Sequence, residues 1–226
     1  MNGATRLREH FFPHAQPEKI MRDVPPNTKV ILIGGSSHSG KSALSESIAA
    51  NLGWNRISTD TLARHPGRPW RPEPEKVPDH VAEHYLSLSV DELIVDVLHH
   101  YRVNVWPKVE EIVSSHIDGP SRAGLIIEGS ALWPELVATL NFDNIAALWL
   151  TASEEVFRQR IRDESLYHSK SLRKRRMIDK FLERTLVYNA QMIEIANRHG
   201  FILVDVQQSN LAELTQRCLS ILRSSR

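Results

Sequence analysis

From Lys29 onward, short apolar runs alternate with segments of helical spacing. Val30, Ile31, Leu32 and Ile33 form an unbroken apolar run closed by Gly34 and Gly35, as expected of a strand buried on both faces. Similar runs recur over Arg56 to Thr59, Leu125 to Ile127, Ile145 to Leu150 and Phe201 to Val206. The intervening segments repeat at three and four residues, for instance Val90, Leu93, Ile94, Val97, Leu98 and Tyr101, where Ser89 and Glu92 offer a capping box. Buried strands alternating with helices predict an α/β domain: a parallel sheet covered on both faces, spanning residues 29–226.

Two stretches depart from this alternation. Residues 1–28 show no sustained period and contain Pro13, Pro17, Pro25 and Pro26, which suits an arm packed on the domain surface. Residues 64–120 separate the second and third strands. This insertion opens with the proline- and arginine-rich stretch Arg64 to Pro78 and continues as two or three helices, with Pro107 in the first turn of the last. It is expected to form a helical cap over the sheet edge where ligands bind.

Composition narrows the function classes. The chain of 226 residues carries 28 Lys and Arg against 27 Asp and Glu, a net charge of +1, which excludes a bulk electrostatic binder of nucleic acid. Apolar residues at 41% exclude wholesale disorder. No apolar run reaches the roughly 18 residues of a spanning helix, and the first residues are charged where a signal peptide is apolar. The expectation is a soluble cytoplasmic protein with a small-molecule ligand and neither a membrane nor a nucleic-acid partner. Cys218, the single cysteine, lies in an amphipathic stretch and reads as a small buried residue.

The most specific signal is Gly35-Ser36-Ser37-His38-Ser39-Gly40-Lys41-Ser42, which fits G-x-x-x-x-G-K-[ST] at every fixed position. Chance yields this pattern in such a chain at a rate on the order of 1 in 100. A strand precedes it and the helix-forming stretch Ala43 to Leu52 follows. In such a loop, glycines let successive N–H groups and a helix N-terminus converge on one anion. Gly35, Ser37, His38, Ser39, Gly40, Lys41 and Ser42 are therefore the expected nucleotide-binding residues. Lys41 would reach the β- and γ-phosphates and Ser42 would ligate Mg²⁺. His38 holds a variable position, expected to face solvent or nucleotide.

Other features sort the loop among its users. No N-K-x-D segment follows a later strand, so guanine recognition is not indicated. Leu125-Ile126-Ile127 runs into Glu128-Gly129, placing Glu128 at a strand end beside the ligand crevice, where it can support Mg²⁺ through water or cap the next helix. Arg56-Ile57-Ser58-Thr59-Asp60 puts Asp60 at the same sheet edge. With adjacent strands roughly 4.8 Å apart, it could orient an acceptor hydroxyl and take its proton, or simply cap the next segment.

The P-loop with Ile57 to Arg64 and Ile126-Ile127-Glu128-Gly129-Ser130 resembles the small-molecule P-loop kinases of the adenylate-kinase-like group, most closely 2-phosphoglycerate kinase. Thr59-Asp60 is also similar to the strand ends of shikimate and gluconate kinases. The resemblance implies a three-layer fold with sheet order 2-3-1-4-5, ATP with Mg²⁺, and phosphoryl transfer to a hydroxyl of a small acceptor.

Residues 158–184 form a basic lid, with ten Lys or Arg against four acids. Glu155 to Arg160 and Arg184 to Tyr188 resemble the helices flanking the lid of nucleoside monophosphate kinases. That match implies Arg160 beside the nucleotide and Arg184 beside the transferred group, with Arg173 or Arg176 filling a further arginine role. The turn Val206-Gln207-Gln208-Ser209 would meet adenine, with Gln207 as the candidate contact.

Arg64, Arg68 and Arg71 follow Asp60 closely, so Arg64 and Arg68, together with Asp60 and Glu128, are the expected acceptor-binding residues, and the acceptor is expected to be anionic. Lys41, Asp60 and Arg184 are the expected catalytic residues, with Ser42 and Glu128 holding the metal. The alternatives are a nucleotide or nucleotide-sugar kinase and a non-catalytic ATP-binding switch. A third, from another class, is a zinc peptidase built on His80-Val81-Ala82-Glu83-His84, which reads as H-x-x-E-H.

Overall fold

The computed structural model describes residues 24–224 apart from 73, 122 and 208. The surface arm expected over residues 1–28 therefore lies almost wholly outside the described residues; at its described end, Val24 is buried in the core.

Five strands form one parallel sheet: β1 (Val30–Gly35), β2 (Asn55–Ser58), β3 (Leu125–Glu128), β4 (Ile145–Thr151) and β5 (Ile202–Asp205). Their order is β2-β3-β1-β4-β5, as the family resemblance implies. All six residues of β1 are buried, which explains its unbroken apolar run. Successive side chains leave opposite faces. Ile31 and Ile33 enter a core with α1 (Lys41–Leu52), α6 (Glu154–Glu164) and α8 (Leu211–Ser224), whereas Val30 and Leu32 pack with α4 (Trp106–Asp118) and α5 (Pro134–Val137). The 27-residue α7 (Leu172–Arg198) contributes Phe181 to the first core and Tyr188 and Met192 to the second.

The strand order corrects one step of the reading above. β3 pairs with both β1 and β2 and stands between them, so the ends of β1 and β2 lie about two strand spacings apart, near 10 Å, and not one. Asp60 approaches the P-loop because the chain leaves β2 in a 3-10 turn, Thr59–Thr61, that continues along the sheet edge. Asp60 sits inside that turn and does not hold the N-cap position of a helix.

The insertion between β2 and β3 is a loop followed by helices. The described residues of 64–78 are free of helix and strand, and α2 (Asp79–Ser87) and α3 (Val90–His100) come next, the latter with the Ser89–Glu92 capping box formed. One feature was not foreseen: α3 does not end before α4 but runs into it through a π-helical turn, Tyr101–Val105. Pro107, in the first turn of α4, has no N–H for the carbonyl four residues back and its ring crowds that carbonyl, so the helix widens just upstream. The widened turn carries Tyr101 to the sheet edge.

Trp70 fastens the loop of the cap. It is 7% exposed, with ring centroids 4.9 Å from Phe181 and 5.7 Å from His38. Lys180 of α7 donates to the Leu88 carbonyl, tying the cap to the lid helix.

Candidate active site

The P-loop links β1 to α1. Gly40 has φ of 94°, a conformation that L side chains rarely adopt, and it turns the chain into the first helical amides of α1. Lys41 is 8% exposed and donates from Nζ to the Ser36 carbonyl at 2.8 Å, so the ammonium lies back across the loop. Burial pulls its pKa below the ordinary lysine value, opposed by Glu128 and Asp60. Ser36 is buried and donates to the Thr185 carbonyl at 3.0 Å, anchoring the loop on α7.

Ser42 donates from Oγ to Glu128 Oε1 at 3.2 Å. Glu128 is 2% exposed, and Arg56 Nη1 stands 3.5 Å from the same oxygen. Hydroxyl and carboxylate therefore meet from the start of α1 and the end of β3, an oxygen-donor pair suited to Mg²⁺. Arg56 was missed in the sequence because its partner lies 72 positions away. Gly129 is required beside this pair: with φ of 152°, a Cβ there would lie 1.8 Å from Thr59 Oγ1 and push the Asp60 turn outward.

Two cavities open over these groups. One, of about 550 Å³, is lined by Lys41, Ser42, Asp60, Glu128 and Arg160 among others. The second, of about 190 Å³, shares Ser37, Asp60, Arg68 and Ser130 with it and is further lined by His65, Tyr101 and Arg184. Asp60 thus stands where the two meet.

Arg184 is 8% exposed, with its guanidinium 4.8 Å from the Phe181 ring centre and 5.7 Å from that of Tyr85. Its Nη1 is buried without a hydrogen-bond partner, and no carboxylate among the described residues pairs with it. A buried cation without a counter-ion is costly to hold, and this one lines a cavity.

Several expected residues stand elsewhere or act differently. His38 lines the larger cavity and not open solvent: its side chain is 4% exposed, edge-on to Phe181 with centroids 5.7 Å apart, and its Nε2 is 2.9 Å from Glu164 Oε2. Burial, then Arg68, lower its pKa to about 4. It is the His38 carbonyl that meets Arg160, which donates from Nη1 at 2.9 Å. Arg64 is exposed and lines neither cavity, whereas Arg68 lines both and pairs with Glu164. Gln207 is hydrogen-bonded to Ser153 at the start of α6 and is not among the lining residues of either cavity; Gln208 lies outside the described residues.

Most lid cations stand away from the cleft. Arg158 pairs with Glu154, Arg175 donates to the Tyr167 carbonyl at 3.1 Å, and Arg162 stacks over the Tyr167 ring at 4.9 Å. Arg173, Lys174 and Arg176 are exposed at the start of α7. Among the ten, Arg160 and Arg184 line the two cavities.

The zinc-peptidase motif does not assemble. His80 and Glu83 are exposed, and only His84 turns inward. Cys218 is buried, and burial pushes its thiol up to about 11, far from a nucleophile's range. None of the helices among the described residues is long and apolar enough to cross a membrane.

No family model matches the chain. A stretch of 111 residues is 30% identical to a tRNA dimethylallyltransferase of Caulobacter sp. (strain K31), covering 48% of this chain and 34% of that protein, so the chain spans about a third of that relative's length. A gluconokinase from Sinorhizobium meliloti 1021 aligns in structure with a TM-score of 0.52 and 22% identity, over 85% of this chain and 90% of that one. A deoxyadenosine kinase from M. mycoides aligns with a TM-score of 0.49 and 16% identity, over 85% and 98%. With its five parallel strands in the order 2-3-1-4-5 and its P-loop between the first strand and helix, the chain has the fold of the small-molecule P-loop kinases.

Proposed function

We propose that the protein is an ATP-dependent kinase that transfers the γ-phosphoryl group to a hydroxyl of a small anionic molecule. The observation that carries this reading is the position of Asp60 between two cavities. On one side is a phosphate-binding loop, and on the other a buried guanidinium without a counter-ion.

The roles follow from the chemistry of each group. ATP lies with its phosphates over residues 35–42, where backbone N–H groups, the α1 N-terminus and Lys41 meet their charge. Arg160 closes over the loop from α6. Ser42 and Glu128 would hold Mg²⁺, which would supply positive charge to offset that of the transferred phosphoryl group. The acceptor occupies the smaller cavity, its anionic group against Arg184 and Arg68 and its hydroxyl toward Asp60. The acceptor oxygen forms a bond to the γ-phosphorus as the bond from that phosphorus to the β,γ-bridging oxygen breaks. The acceptor proton passes to the Asp60 carboxylate, and ADP leaves with the bridging oxygen.

The screen that tests this reading couples ADP release to a library of hydroxy acids, sugars, nucleosides and their phosphates, with 2-phosphoglycerate, gluconate and shikimate among the first members. An acceptor-dependent rate on one or more anionic members supports the proposal. ATP binding without any acceptor-dependent ADP release would favour the non-catalytic switch. A rate confined to nucleosides or nucleotides would favour the nucleotide-kinase alternative. The local similarity to a tRNA dimethylallyltransferase adds one further arm, dimethylallyl transfer to tRNA, and activity there would replace phosphoryl transfer as the reading.

A further inference from the structure

The phosphate cleft leaves one cluster of chemistry-bearing side chains unused. We propose that His65, His84 and Asp96 form a binding site for a divalent cation of the zinc class, which fastens the arginine-rich loop of the cap to its two helices.

The three residues come from three separate elements: His65 from the loop after β2, His84 from α2 and Asp96 from α3. One ligand atom from each lies within 4.8 Å of both others. His65 Nε2 is 3.2 Å from Asp96 Oδ2, and His84 Nε2 is 3.9 Å from the same oxygen. Ligands held tetrahedrally at about 2.0–2.2 Å from one zinc ion stand roughly 3.3 Å apart, so side-chain rotation closes the remaining gap. The imidazole rings of His65 and His84 are nearly perpendicular, at 88°, with centroids 5.6 Å apart, so they approach a common point without stacking.

The second observation is an unmet polar atom. The His84 side chain is 10% exposed, yet its Nε2 is buried without a hydrogen-bond partner, and it is aimed at this cluster. Buried polar atoms in native proteins are rarely left so. A cation would satisfy it.

Two nitrogens and one carboxylate oxygen are a borderline donor set, suited to Zn²⁺ and poorly suited to Mg²⁺, which demands oxygen. The cluster is therefore chemically distinct from the Ser42 and Glu128 pair. Binding at His65 Nε2 places that ring's proton on Nδ1, which gives up the long 3.4 Å hydrogen bond from the Gly67 N–H. The loop from 65 to 68 would then be held by the cation, with His65 and Arg68 both on the wall of the smaller cavity.

This site differs from the H-x-x-E-H motif in the sequence. His84 is common to both, but its partners come from 19 positions upstream and 12 downstream and not from its own helix.

The test is titration of the metal-free full chain with Zn²⁺ in excess Mg²⁺, with Co²⁺ as a spectroscopic probe. The wild type should bind one equivalent of Zn²⁺, raise its thermal midpoint and give the intense visible absorption of low-coordinate Co²⁺. His84→Gln and Asp96→Asn should each weaken binding at least about 100-fold and lose that absorption, since even outer-shell changes at metal sites cost 10- to 100-fold. His80→Gln, on the exposed side of the same helix, should bind as the wild type does. Circular dichroism of the metal-free variants confirms folding, and Asp96→Asn decides if His84→Gln fails to fold, because Asp96 is half exposed. No zinc equivalent on the wild type, or unchanged binding in a folded ligand variant, would overturn the proposal. Both outcomes are independent of phosphoryl transfer.

Discussion

Arg184 carries the argument for an anionic acceptor. Its guanidinium is packed on Phe181 and Tyr85 with one nitrogen left unbonded, and the residue lines the smaller cavity, so an anion bound there gains a charge-assisted bond without displacing a protein partner. Arg184→Met keeps the apolar stem and removes the charge. We expect it to raise the acceptor KM by roughly 10- to 100-fold while leaving the ATP affinity within about twofold, as read by steady-state kinetics and nucleotide titration. Asp60 divides the roles differently: Asp60→Asn should spare ATP binding and lower kcat at least ~10²-fold.

His38 sets a pH dependence of stability. Its native pKa is about 4 against an ordinary 6.5, so between those values the unfolded chain takes up a proton that the folded one refuses. This residue makes no difference above pH 6.5 and costs stability as the pH falls toward 4, by up to about 1 kcal/mol per pH unit. His38→Asn, which tolerates the φ of 65° at this position, should flatten the urea midpoint of unfolding over that window relative to the wild type. Equal slopes for the two proteins would contradict the assignment.

At the scale of elements, the strands and the P-loop were legible because their signals are local. A run of four apolar residues followed by glycines requires no distant partner to be read, and the observed strand bounds fall within two residues of the apolar runs. Contacts across long sequence separations were not legible. Arg160 meets the His38 carbonyl 122 positions away, and Glu164 meets Arg68 across 96. Nor could the sequence say that Arg68 and not Arg64 would reach the cleft, since a proline-rich loop has no period to orient its side chains.

Trp70 orients that loop. Seated against His38 and Phe181, it joins the cap to the P-loop and to α7, so the cap is part of the main core. Trp70→Ala should lower stability by about 3–5 kcal/mol and speed amide exchange through residues 65–71. An exchange pattern unchanged in that segment would mean that the loop is held by other contacts.

For the whole molecule, near-neutral charge conceals a division of labour. The lid carries an excess of six positive charges in the sequence, yet most of those groups serve carbonyls, helix neighbours or solvent. Arg160 from the lid, Arg184 from its far end and Arg68 from the cap line the cavities. The sheet edge explains this selection: P-loop, Asp60 turn and Glu128 all leave the carboxyl ends of parallel strands, and only side chains folded over that edge can line the cleft. The order of residues 158–184 shows the surplus, which composition hides; the topology decides which members of it face the cleft.

The most direct test of phosphoryl transfer is to follow the label of γ-³²P-ATP in the presence of the acceptor that most raises ADP release. The account predicts that label appears on the acceptor, is absent with its deoxy analogue, and falls about 10²-fold with Asp60→Asn at unchanged ATP affinity. Label recovered only in ATP or inorganic phosphate, or transfer indifferent to Asp60, would contradict it.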